Sequence, residues 1–327
     1  MQKPAVVEIE ALLGPAASEM PSVENTIREC IESGDRLFRE PAVHLMEAGG
    51  KRLRPALVLL SALCYDYDSR VVVPAAAAVE MIHMATLIHD DIMDDSCTRR
   101  GRPTVNSIWG VRTALLTGDY LFAKAFVLLS RAGPGVVRLM SRTVHEMCLG
   151  QAREIESGAV PDEREYFERI ERKTAAFMSA CCALGSRLAG APRRATAALS
   201  RYGRLLGMAF QITDDLLDIV GDARTLGKPV ASDLRQGIIT LPVIRALDES
   251  PAGCRLKELI RGSERPQDAG NSPDGSRGWV AEAASIVRTS DSPRHSRAVA
   301  ESFARAAVES LAPVPECAAR AALARLP

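Results

Sequence analysis

The sequence predicts an all-α protein, read as one helical domain over residues 1–327. Three observations carry that expectation. Hydrophobic residues make up 47% of the chain but aromatic ones only 4%, which suits helices packed through Ala, Leu, Val and Ile. No stretch shows the apolar–polar alternation of a half-buried strand. The pattern Asp-Asp-x-x-Asp occurs twice on an apolar helical background, at Asp90, Asp91 and Asp94 and again at Asp214, Asp215 and Asp218. At about 100° per residue, positions i, i+1 and i+4 are expected to share one helix face. A single acidic cluster beside basic residues is more often a salt-bridged surface. Two copies in one helical chain argue against that reading.

The elements follow in order. Residues 1–20 carry Gly14 and Pro15 and are expected to be frayed. A helix begins near Ser22 and runs to about Leu37. Residues 47–55, Glu-Ala-Gly-Gly-Lys-Arg-Leu-Arg-Pro, form a glycine turn carrying Lys51, Arg52 and Arg54, closed by a proline suited to a helix start. Residues 56–65 are apolar and predict a core helix. After a break at 66–69, Pro74 is expected to open a helix that runs through Ala75–Ala78 into the first acidic motif. Further helices are expected at 111–131, 136–157, 162–188 and 195–220, the last carrying the second motif. Residues 158–161 and 221–232 read as loops, the latter with Gly227, Lys228 and Pro229. A short helix runs from Pro242 to near Glu249. Residues 262–278, rich in Gly, Ser, Pro, Asp and Asn, predict a mobile surface loop. Helices at 279–289 and 293–311 close the chain. The acidic motif is the only repeat.

Charge points to the kind of ligand. The formal net charge is +0 at pH 7, which argues against nucleic acid as a partner. Acid is gathered at 90–95 and 214–222, base at 51–54 and 99–102, a segregation that suits an anionic substrate bridged by cations. Oxygen-only ligands suit Mg²⁺, which keeps some waters and usually bridges to substrate phosphates. Arg99 and Arg100 could clamp the same phosphates bidentately. None of the eight cysteines shows Cys-x-x-Cys spacing, and the adjacent Cys181 and Cys182 read as small buried hydrophobes. The amino terminus has no signal-like segment, and no uncharged apolar stretch approaches the roughly 18 residues of a spanning helix. A reduced cytoplasmic protein with no transmembrane segment is expected.

Taken in order, the motifs resemble a known family. They are Gly-Gly-Lys-Arg-Leu-Arg-Pro (49–55), His83, Asp-Asp-Ile-Met-Asp (90–94), Thr-Arg-Arg-Gly (98–101), Gly-Asp-Tyr-Leu (118–121), Lys-Thr (173–174), Gln-Ile-Thr-Asp-Asp-Leu-Leu-Asp (211–218) and Gly-Lys-Pro (227–229). Over residues 45–250 the chain resembles the trans-isoprenyl diphosphate synthases, also called polyprenyl synthetases. Singly, each element has a plainer reading. His83 would be a satisfied core histidine, Lys173 and Lys228 ordinary surface, and Gln211 a bridge between helices. Asp119 and Tyr120 read as structural. The ordered set is specific.

The resemblance implies an isoprenoid-synthase-type antiparallel helix bundle around a deep central cavity, with the two acidic motifs facing each other across its mouth. It implies three Mg²⁺ ions per active site, with Mn²⁺ as a substitute, on Asp90, Asp94 and Asp214. Asp91, Asp215 and Asp218 would be further ligands or supports. Arg99, Lys173 and Lys228 would neutralise an allylic diphosphate, with Thr174 and Gln211 in the catalytic set. Lys51, Arg54, His83 and Arg100 would hold isopentenyl diphosphate. The implied reaction is head-to-tail condensation of isopentenyl diphosphate with farnesyl or geranylgeranyl diphosphate, giving an all-trans polyprenyl diphosphate. Small Ala85 and Thr86, where short-product members carry an aromatic, imply a long tunnel and a medium or long product (C30–C50). Met81, Ile82 and Phe122 are the residues that could partly close it. A homodimer is implied, and a dissimilar partner subunit is possible. Geranylgeranyl diphosphate synthesis and class I terpene cyclisation are the alternatives, the latter disfavoured because it needs no site for isopentenyl diphosphate. The chain departs from the family at Cys97, often Asp, at Ala231, often Gly, at Ile238, often Lys, and in lacking a basic C-terminal tail.

Overall fold

A computed structural model describes residues 14–156, 161–221, 230–248, 252–263 and 278–327. Lys228 and most of the expected 221–232 and 262–278 loops lie outside the described residues, as do residues 1–13 of the expected frayed terminus and 157–160. The described chain is an all-helical bundle apart from one small hairpin.

The helix that everything packs around is α4 (Ser69–Met93), which follows α1 (Met20–Glu32), α2 (Arg36–Glu47) and α3 (Leu53–Leu63). At 1.5 Å per residue its 25 residues reach roughly 37 Å. Apolar side chains on every face mark it as a buried core helix, and residues from Val72 to Ile88 are buried around most of its circumference. Asp68, not Pro74, opens it, accepting the Arg70 N–H at 2.9 Å as an N-cap. Pro74 lies in the second turn, where the helix has already formed.

The helix expected from Ser22 to Leu37 is two helices. Asp35 breaks it, because its carboxylate accepts the Leu37 N–H at 2.9 Å and caps α2. After α4 come β1 (Thr98–Arg99), β2 (Arg102–Pro103), α5 (Val105–Trp109), α6 (Val111–Ser130) and α7 (Pro134–Glu156). The helix expected at 162–188 is present but not uniform. It consists of α8 (Glu163–Ile170), a π-helical turn (Glu171–Ala175) and α9 (Ala176–Leu188). Then α10 (Arg193–Val220) carries the second acidic motif. The short α11 (Ser232–Arg235), α13 (Ala252–Ser263) and α16 (Ala318–Leu323) are additions to the expected elements, while α12 (Leu241–Asp248), α14 (Gly278–Thr289) and α15 (Ser292–Ser310) match it.

Two apolar cores hold the bundle. The larger joins α1, α3, α4, α6, α9 and the first half of α10, with Leu57, Met81, Phe177 and Tyr202 among its fully buried members. The smaller lies under α8, α10, α12, α14 and α15 around Tyr166, Ile212 and Leu241. By length and composition alone α4 and α6 would pass as membrane-spanning, contrary to the sequence expectation; 72% of the α4 window is buried inside this bundle. All eight cysteines are free thiols.

Candidate active site

A cavity of about 1250 Å³ opens where the C-terminal end of α4 meets α3, α7 and α10. Asp90 and Asp214 both line it, so the two acidic motifs do face one space. Burial pushes the Asp90 carboxyl up to about 6, with Lys173 opposing and Asp94 adding to the rise. The three carboxylates of each motif do not share one face. Asp91, a helical step of 100° on from Asp90, is buried and accepts from Arg99 Nε at 2.8 Å. Asp94 lies one residue past the helix end as its C-cap and is exposed.

The second motif divides in the same way. Asp214 is exposed to the cavity, whereas Asp215 and Asp218 are buried. Asp215 accepts from the Tyr166 hydroxyl and from Gln211 Nε2, both at 2.7 Å. Burial still raises its carboxyl to about 6. Gln211 Oε1 accepts from Thr174 Oγ1 at 2.7 Å, so Thr174, Gln211, Asp215 and Tyr166 form one chain of hydrogen bonds. Asp218 accepts from Ser232 Oγ at 2.6 Å and from the Asp233 N–H at 3.1 Å, tying α10 to α11.

Lys173 and Thr174 sit in the π-helical turn, a feature frequent at functional sites. Gly150 of α7 and Gly207 of α10 allow the turn to be gripped from both sides. A Cβ on Gly150 would stand 2.8 Å from the Lys173 nitrogen, and one on Gly207 2.5 Å from the Ala175 Cα. Lys173 pairs with Glu154, which also accepts from Gln151.

The Thr-Arg-Arg-Gly stretch folds as a two-residue hairpin, with Arg99 opposite Arg102. Both turn residues have positive φ, Arg100 at 53° and Gly101 at 74°, as a type I′ turn demands. The turn sends Arg99 to Asp91 and lays the Arg100 guanidinium over Gly50. In the 47–55 turn Lys51 Nζ lies 5.9 Å from the Phe210 ring centre, and the Arg54 guanidinium carbon 5.2 Å from that of Phe177. Burial, then the Arg54 charge, pushes His83 well below the usual imidazole range. A neutral His83 therefore accepts from Arg54 Nη1 at 3.0 Å through Nε2. Lys51, Arg54, His83 and Arg100 all line the cavity, as do Arg99, Lys173, Thr174 and Gln211.

The chain-length residues separate. Thr86 and Phe122 are on the cavity wall. Met81, Ile82 and Ala85 are fully enclosed and lie behind it, because one helical step carries Ala85 away from the face that Thr86 presents. Leu87, Val144 and Met147 stand on the wall instead. Sequence reasoning also missed Tyr166, Glu154 and Glu80. Only Glu80 left a local trace, as a lone carboxylate in an apolar helix that requires a partner.

The donor set fits hard divalent cations, since the Asp90 and Asp214 carboxylates face the cavity from the two motifs. Among the described residues no three ligating side chains are gathered at one point. The donors stand on two helices, an arrangement suited to Mg²⁺ completed by water and phosphate oxygens.

The cavity of this helical bundle joins carboxylates of both motifs to clustered bases. The family profile described as polyprenyl synthetase matches residues 35–272. Heptaprenyl diphosphate synthase component 2 of Geobacillus stearothermophilus is 37% identical over 320 residues, covering 97% of this chain and 96% of that one. Nonaprenyl diphosphate synthase of Mycobacterium tuberculosis is 36% identical over 336 residues, covering 100% and 97%. The crystal structure of a polyprenyl synthase from Caulobacter crescentus, in complex with calcium and isoprenyl diphosphate, superposes with a TM-score of 0.89 at 32% identity, covering 97% of this chain and 95% of that one. The chain belongs to the polyprenyl synthetase family and is a prenyltransferase that makes prenyl diphosphates.

Proposed function

We propose that the chain catalyses the Mg²⁺-dependent head-to-tail condensation of isopentenyl diphosphate with farnesyl or geranylgeranyl diphosphate, making an all-trans product of C30–C50. One observation carries the reading: the bases of the 47–55 turn and both acidic motifs line a single cavity of about 1250 Å³. A cyclase needs only the acidic end.

Asp90, Asp94 and Asp214 would hold the cations, and Asp91, Asp215 and Asp218 would fix their surroundings from behind. Bound Mg²⁺ supplies charge that makes diphosphate a competent leaving group. Arg99 and Lys173, with Lys228 by resemblance, bind the same oxygens and stabilise the charge that grows as the C–O bond breaks. Lys173 then exchanges Glu154 for the diphosphate. Thr174 and Gln211 orient oxygen dipoles toward the allylic carbons. Lys51, Arg54, His83 and Arg100 hold the second diphosphate, so that its double bond points at the allylic cation. The released diphosphate takes the proton that ends the step. Thr86, Leu87, Phe122 and Met147 form the wall along which the product grows.

An exposed apolar row on α5 and α6 (Ile108, Val111, Leu115, Leu116 and Val127) supports a homodimer through this face. The name "component 2" borne by two relatives supports a dissimilar subunit as the second reading. Sizing the chain alone and after co-expression with a candidate subunit separates the two. The eight free thiols suit a reducing cytoplasm. Asp90→Ala and Asp214→Ala should abolish turnover while leaving the helical circular-dichroism spectrum intact. Turnover retained in either variant would overturn the cation assignment.

A further inference from the structure

Arg52 stands between Lys51 and Arg54 in the basic turn, yet its guanidinium is committed to protein. Nη1 donates to Glu80 Oε1 at 2.7 Å, Nε to Glu24 Oε1 at 3.1 Å and Nη2 to the Met46 carbonyl at 3.1 Å. Its backbone is left-handed, with φ 47°, a conformation that a non-glycine residue holds only when its surroundings enforce it. Glu80 is 4% exposed on α4, one turn before His83. A carboxylate buried in an apolar helix is tolerated only with a partner, and Arg52 is that partner.

The arrangement has a mechanical consequence. Two side chains one turn apart on a rigid helix, Glu80 and His83, engage Arg52 and Arg54 on either side of Leu53. Glu24 brings in α1, whose Met20 and Pro21 complete the cavity wall at this end. Four cations crowd here, Lys51, Arg52, Arg54 and Arg100, and repulsion would splay the turn without a buried counter-charge.

We propose that Glu80 and Arg52 are a positioning pair for the isopentenyl diphosphate site, fixing the bend that aims Lys51 and Arg54 into the cavity. Both border the cavity, but their charged ends are committed to each other, to Glu24 and to the Met46 carbonyl, which makes their role one of positioning. The proposal rests on the reading of that turn as the isopentenyl diphosphate site. Misplacing two phosphate ligands by about 1 Å costs roughly 10- to 100-fold, and the loss should fall on one substrate only.

The test is steady-state kinetics with both substrates on three variants, each checked for a cooperative melt. Glu80→Gln keeps the shape and removes the charge. Because it leaves Arg52 buried without its main partner, the double variant Arg52→Met/Glu80→Leu provides a folded alternative in which an apolar pair replaces the ionic one. Lys51→Ala reports on the site itself. The expected result is a rise of tenfold or more in KM for isopentenyl diphosphate in Glu80→Gln and in the double variant, with KM for farnesyl diphosphate within about twofold of the parent. A folded double variant with the parent's KM for isopentenyl diphosphate, or with both KM values raised alike, overturns the positioning role. If Lys51→Ala leaves that KM unchanged, the reading of the turn fails first, and the proposal falls with it.

Discussion

Replacing Asp90 by Asn should stabilise the metal-free protein while destroying its activity. The carboxyl is held on the cavity wall at about 6 by burial, against a usual value of 3.8. A carboxylate whose pKa is higher folded than unfolded is a destabilising group above both values. The folded chain binds the extra proton between pH 4 and 6, so stability falls as pH rises through that window and then levels off. The difference of about two pH units corresponds to about 3 kcal/mol at pH 7.5. An uncharged Asn of the same shape removes that cost. For a chain of this size the gain is a rise of roughly 3–8 °C in melting temperature. The assay is a melt in EDTA at pH 7.5 and at pH 4, parent and Asp90→Asn side by side. The gap should be present at pH 7.5 and close at pH 4. With Mg²⁺ and inorganic diphosphate the order should reverse, because only the parent gains by binding. A variant less stable than the parent at pH 7.5, or a gap unchanged at pH 4, would refute the account of Asp90 as a strained carboxylate.

Further perturbations test other parts of the structure. Ala231 has φ 58° where glycine is at ease, so Ala231→Gly should raise stability by about 1 kcal/mol in a denaturant melt. Thr86→Phe puts a ring on the cavity wall and should shorten the product, read by resolving products on chain length. Ala85→Phe overpacks the enclosed side of the same helix and should cost about 1–3 kcal/mol of stability. Tyr166→Phe takes one of two donors from buried Asp215 and should lose about 1.5–3 kcal/mol in the same melt, with the Mg²⁺ concentration for half-maximal rate raised.

What the sequence made legible follows from how local each signal is. The helical class and most of the long helices rest on periodicity, and the structure bears them out, whereas the facing of the two acidic motifs was implied by the family resemblance. The hairpin at 98–103 was hidden because two-residue strands are too short to show alternation, although Arg-Gly with two positive φ values is the kind of turn that makes one. The π-helical turn at Lys173 is approached closely by Gly150 and Gly207, which lie far along the chain and leave no local pattern beside it. Tyr166 and Asp215 are 49 residues apart, a separation that leaves no pattern in sequence. The notion that each acidic motif offers one face failed for a simple reason. A step of 100° is enough to turn Asp91 and Asp215 from the cavity into the protein, where Arg99 and Tyr166 receive them.

The most direct test is a Mg²⁺-dependent reaction of the purified chain with farnesyl diphosphate and labelled isopentenyl diphosphate, resolving products by length. The account predicts a ladder of labelled all-trans products ending at one member between C30 and C50. A ladder stopping at C20 would contradict the chain-length reading and favour geranylgeranyl diphosphate synthesis. Diphosphate released with only unlabelled hydrocarbon or alcohol would contradict the central claim, that one cavity brings two diphosphates together to elongate a prenyl chain.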